Sequence, residues 1–184
     1  SQVSRAREHI ELLKTRFTNV TDVEVDLTPV FETFKKAVPN HNDDAKVNLS
    51  LANSRARLRM TSLYYLAGIH GLLVTGTGNK VEDFGVGFYT KYGDGGVDLS
   101  PIADLMKSDV YALGAYLKIP ESILKATPTD GLFGDDRSDE DQLGASYDEL
   151  EWAMLEDEAG KTANDFSGRQ KEAFEIYKRL NKCN

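Results

Sequence analysis

The 184-residue sequence holds a single cysteine, Cys183, so no internal disulfide can form. A reducing compartment follows most simply, and a cytoplasmic location is expected. Nowhere does an apolar run approach the ~18–20 residues of a membrane-spanning helix, so no membrane partner is expected. Basic residues are short in supply, 22 Lys and Arg against 30 Asp and Glu, for a net charge of −8. A general nucleic-acid binder needs a basic footprint to neutralise phosphates, and that class is excluded. Several signatures are missing as well: there is no G-x-x-x-x-G-K-[ST] loop and no G-x-S-x-G elbow. Gly76-Thr77-Gly78 fails G-x-G-x-x-G because position 81 is Val. His9, His41 and His70 lack metal-ligand spacing and read as ordinary helix or loop residues.

What is present is ordinary globular chemistry, with 40% hydrophobic residues arranged in periodic segments. The length suits about one domain with a core that needs no staple. Charge is unevenly spread. Residues 128–160 hold twelve acids against one base, Arg137, which leaves the rest of the chain mildly basic. That division suits an anionic small-molecule substrate, and a solvated acidic face is the plainer reading of the same residues.

Ser4 to Phe17 reads as an amphipathic helix with Ile10, Leu12, Leu13 and Phe17 as its stripe and Ser4 as its N-cap. Val20 to Leu27 alternates with period two and predicts a strand. Thr28-Pro29 opens a helix to about Val38, and 39–46 reads as a polar loop. A long helix is expected over Leu49 to Ile69, stopped by Gly71, and Leu72 to Thr75 predicts a short buried strand. Residues 76–101 are Gly-rich with little periodicity. Helices are expected over 107–117, 120–125, 147–156 and 170–180. This order predicts an α/β fold with a parallel sheet. Two strands are too few for an ordinary sheet and the chain opens on a helix at Ser1, so further strands are expected upstream.

The informative block is Gly76 to Lys107. Thr75 to Lys80 follows a predicted strand, the place where open α/β sheets bind ligands. Glu82 and Asp83 come next as hard oxygen ligands suited to magnesium. Phe88 to Asp98 then combines aromatics, a lysine and three glycines, which permit close backbone approach to a ligand. By pattern alone, a surface hairpin explains this run equally well. On the long helix, Arg55 and Arg59 share a face and Arg57 points roughly opposite. At least one of them is expected to meet a buried or ligand anion.

At these residues a resemblance emerges. Asn53 to Met60, Gly76 to Glu82, Phe88 to Asp98, Pro128 to Leu132 and Ser146 to Leu150 together resemble the ammonia-dependent NAD synthetases. These belong to the adenine-nucleotide α-hydrolase (N-type ATP pyrophosphatase) superfamily. The segments keep the family's order and span more than half the chain. The resemblance implies a Rossmann-like parallel-sheet fold, with residues 1–184 as one synthetase domain incomplete at both ends. It implies contacts to deamido-NAD by Arg57, Lys91 and Asp98, and contacts to ATP by Thr77, Lys107 and Thr129. Glu82 would be the magnesium ligand, and a homodimer would form through the long helix.

Three departures accompany the likeness. The stretch from Glu82 to Lys91 is one residue longer than the commonest family pattern, which makes Asp83 a rival for the metal position. The family's Ser-Gly-Gly-x-Asp-Ser loop is absent from these 184 residues, and so is its carboxyl-terminal His-Lys pair. The implied chemistry is ATP-dependent amidation: the nicotinate carboxylate takes up AMP with release of pyrophosphate, and ammonia displaces AMP to give NAD. Two rivals stand beside it, a sibling such as GMP synthetase and a non-catalytic nucleotide-binding or dimerising fragment. The Phe88–Asp98 run argues against the sibling.

Overall fold

The computed structural model describes residues 2–129, 131–132 and 138–182. Cys183, Asp130 and Arg137 therefore lie outside the described residues. Eight α-helices follow one another among these: α1 (Gln2–Arg16), α2 (Thr28–Ala37), α3 (Asp44–His70), α4 (Lys107–Tyr116), α5 (Glu121–Leu124), α6 (Asp139–Leu143), α7 (Tyr147–Glu158) and α8 (Gly168–Asn181). A π-helix, Val81–Val86, and a 3₁₀ turn, Ala163–Asp165, complete the set.

Several helix ends follow the expected chemistry. Pro29 occupies the first turn of α2, and Gly71 ends α3 with φ 64° and its N–H on the Ala67 carbonyl. Other ends differ. Ser4 lies inside α1, which begins at Gln2. The segment read as loop to residue 46 is already helical from Asp44, because the Asp43 carboxylate accepts the Lys46 N–H and caps α3.

The strand expected over 20–27 does not form. No backbone ladder forms over these residues, and Val23 and Val25 are half or more exposed. Period two marks a face but supplies no partner, and a strand exists only through its ladder. Leu72 to Thr75 fares better. A single parallel bridge joins Thr75 to Leu99, with the Leu99 carbonyl accepting the Gly76 N–H at 2.7 Å. Leu72 and Leu73 remain 66% and 64% exposed, so this segment is not the buried strand its sequence suggests.

The main core lies between α7, α8 and the π-helix. Val81, Val86, Leu143, Tyr147, Leu150, Met154, Phe174 and Tyr177 form one buried cluster, edged by Trp152 and Phe166. The Trp152 and Phe166 rings meet edge to face at 4.8 Å between centroids, a favourable aromatic geometry.

Many acids of the 128–160 stretch have structural tasks. Ser138 with Asp141 and Ser146 with Glu149 form capping boxes at the starts of α6 and α7, where negative charge also suits the helix dipole. Lys178 pairs with Asp157, and Lys80 with Glu158. The Arg169 guanidinium grips Glu149 with two bonds of 2.7 Å and, with the Ser146 N–H, holds its carboxyl down to about 2. A depressed carboxyl adds stability that is complete above its unfolded pKa and lost as pH falls through the folded one. Stability is thus expected to decline between pH ~4.5 and ~2, and Arg169→Leu to flatten that decline. Urea midpoints measured across this range check it.

Candidate functional site

The π-helix carries the two rival carboxylates. A π-turn accommodates one residue more than an α-turn of the same span, and such turns are frequent at functional sites. Asn79 is buried and starts the turn, its side-chain oxygen accepting the N–H groups of Val81 and Glu82. Gly87 ends it in the left-handed region, with its N–H on the Glu82 carbonyl. The freed carbonyls of Phe84 and Gly85 are met by the Asn181 amide from α8, at 3.3 and 2.9 Å.

Glu82 then points toward α4 and α7. Its Oε1 accepts from Lys107 Nζ at 2.7 Å and from the Tyr147 hydroxyl at 2.7 Å, while Oε2 takes no hydrogen bond among the described residues. The Glu82 and Lys107 side chains are only 15% and 18% exposed, so the pair is little screened by solvent. Lys107 Nζ also lies 4.6 Å from the Tyr147 ring centroid. Asp139 Oδ2 lies 3.4 Å from the Tyr147 hydroxyl. Burial first, then the Glu82 and Asp139 carboxylates, push that phenol far above its ordinary pKa, so it stays a hydrogen-bond donor.

Asp83 turns elsewhere. A Cβ on Gly78 would stand 2.2 Å from its carboxylate, so a side chain at position 78 would displace the carboxylate from that point. Burial, then the charges of Glu82 and Asp94, raise the Asp83 carboxyl. Among the described residues no group of three or more His, Cys, Asp and Glu could hold a metal alone. Magnesium commonly takes one or two carboxylates together with substrate phosphates, and this acid excess with a free Glu82 Oε2 fits that need.

The other expected residues fall into two places. Thr77 lines a cleft of about 550 Å³ with Asn53, Arg59, Thr75, Phe88 and Thr90. Lys107 and Thr129 line a second one of about 480 Å³ on the side of α1, where Gln2 donates to the Thr129 hydroxyl at 2.7 Å. Arg57 and Lys91 come together, the arginine Nε donating to the Lys91 carbonyl at 3.1 Å. Asp98 serves the backbone: its carboxylate accepts the Val74 N–H at 2.8 Å and the Tyr64 hydroxyl at 3.1 Å.

The run after Lys91 is a tight turn rather than a hairpin. Thr90 N–H is held by Asp94 and its hydroxyl by Asn53 of α3. Tyr92 adopts φ 61°, and a Cβ on Gly93 would stand 2.9 Å from that of Ala56. The expected arginine–anion contact takes another form for two of the three. Arg55 lies 4.3 Å from the Phe31 ring centroid and donates to the Leu132 carbonyl, while Arg57 also meets a carbonyl. Tyr147 and Tyr64 are the contributors that residue spacing does not disclose.

The sequence matches the family described as NAD synthase over residues 2–183. An NH(3)-dependent NAD(+) synthetase of Methanococcoides burtonii is 43% identical over 127 residues, 69% of this chain and 47% of that protein. That of Carboxydothermus hydrogenoformans is 36% identical over 162 residues, 88% of this chain and 66% of that protein. Among solved structures, the NMN synthetase from Francisella tularensis is similar with a TM-score of 0.75 at 31% identity, covering 96% of this chain and 67% of that one. The NH3-dependent NAD synthetase from Campylobacter jejuni gives 0.62 at 27% identity, over 87% and 59%. The chain spans about half to two-thirds of the length of these curated relatives.

Proposed function

Because the chain belongs to the NAD synthase family, we propose that the protein is an ATP-dependent ligase that amidates deamido-NAD with ammonia. The nicotinate carboxylate attacks the α-phosphorus of ATP, pyrophosphate leaves, and ammonia then displaces AMP from the acyl adenylate to give NAD. The observation that carries this reading is the largely buried Glu82–Lys107 pair held by Tyr147. Magnesium, when bound, supplies charge neutralisation on the phosphates. Lys107 turns its ammonium to ATP, and Thr77 and Thr129 add hydroxyl donors. Arg57 and Lys91 hold the anionic dinucleotide, while Asp98 retains lone pairs for it beyond its bonds to Val74 and Tyr64. Catalysis is positioning and charge stabilisation.

The same reading includes a cytoplasmic homodimer, with Leu63, Tyr65 and Ile69 exposed on α3 as contact surface. It also includes the parallel sheet, since exposed Val23, Val25, Leu72 and Leu73 are the residues that strand neighbours would cover. The test is product analysis with deamido-NAD, ATP, magnesium and ammonium. NAD, AMP and pyrophosphate are expected in equal amounts, and release of ADP with phosphate overturns the proposal. A second reading, with NMN as product, is favoured by the structural likeness to the Francisella enzyme. Supplying the mononucleotide and dinucleotide acids together decides between them, and the dinucleotide is expected to be consumed faster.

A further inference from the structure

We propose that Tyr147 is a positioning residue for both members of the charged pair, its hydroxyl holding Glu82 and its ring holding Lys107. This rests on the reading of Glu82 as the magnesium ligand and Lys107 as an ATP contact. Both donors to Glu82 converge on Oε1 at 2.7 Å, which leaves Oε2 without a hydrogen bond among the described residues and available to a cation. The two donors differ in kind. Lys107 neutralises the carboxylate while it is paired with it, and it must leave to reach a phosphate. The phenol is a neutral donor, so it fixes the carboxylate without cancelling the charge that a cation needs. When Lys107 turns away, Glu82 keeps its orientation because the Tyr147 bond remains.

Tyr147 is itself built into place. It is 5% exposed within the main core, at the first turn of α7. Its backbone N–H donates to Glu140 at 2.9 Å, and the preceding Ser146 is locked in the capping box with Glu149, which Arg169 grips. The ring at 4.6 Å from Lys107 Nζ gives the ammonium a second resting contact after the carboxylate.

The experiment uses the full chain with a non-hydrolysable ATP analogue and Mn2+ as the probe, followed by electron paramagnetic resonance without turnover. Tyr147→Phe keeps the ring and removes the hydroxyl. It is expected to raise the Mn2+ dissociation constant about tenfold, the lower end of the effect of losing an outer-shell partner, with affinity for the analogue unchanged. Tyr147→Leu is expected to weaken both. In a Glu82→Gln background, Tyr147→Phe should add nothing, since the hydroxyl acts through that carboxylate. Wild-type Mn2+ affinity in Tyr147→Phe, or a full additional loss in the double variant, overturns the positioning role alone. Wild-type affinity in Glu82→Gln overturns the metal reading, and the inference falls with it.

Discussion

Turnover is expected to fall by roughly 100-fold or more on Glu82→Gln, the scale on which removal of one preorganised charged partner acts. Two effects combine. The amide cannot bind a cation as the carboxylate does, and Lys107 is left as a largely buried ammonium without its counter-ion. Asp83→Asn is expected to cost under tenfold, because Lys107 and Tyr147 keep their Glu82 contacts. Steady-state rates over a magnesium titration measure both, with the magnesium requirement raised more in Glu82→Gln. The opposite ranking would move the ligand to Asp83.

Phe174→Ala is expected to cost about 3–5 kcal/mol, the usual range for emptying a buried aromatic site. Phe174 is 1% exposed, and its ring lies 5.2 Å from that of Phe166 and 6.5 Å from that of Tyr177. Domains of this kind are stable by only about 5–15 kcal/mol, so the loss approaches the whole. Phe174→Leu should cost far less, since most of the volume is kept. Urea denaturation of the two variants gives the difference. The effect should reach the charged pair too, because Val81 and Val86 of the π-helix belong to the same cluster as Phe174 and Tyr147. A loosened core is therefore expected to raise the magnesium requirement before it unfolds the chain.

The sequence discloses local features well and distant ones poorly. Pro29, Gly71 and the Ser146–Glu149 box mark helix ends because each acts within one turn of itself. Val20 to Leu27 shows the limit of that logic, since alternation cannot say whether a neighbouring strand is there to pair with. The π-helix is hidden because its residues, with Gly85 inside, have neither α nor β periodicity. The site follows the same division. Glu82 stands out beside a Gly-rich run, but Tyr147 reaches it from 65 residues away, and only the packing of α7 on the π-helix brings the two together. Asp98 is recognisable as a conspicuous acid, while its bonds to Tyr64 and the Val74 N–H depend on where α3 ends.

The wide turn at Val81–Val86 also ties together two parts of the chain in heredity. Its carbonyls at Phe84 and Gly85 require a donor, and the Asn181 amide supplies it from nearly a hundred residues downstream. The wide turn in one place and the amide in the other are expected to be gained or lost as a pair. Where a relative lacks this wide turn, position 181 is expected to drift. The two positions should therefore covary across the lineage.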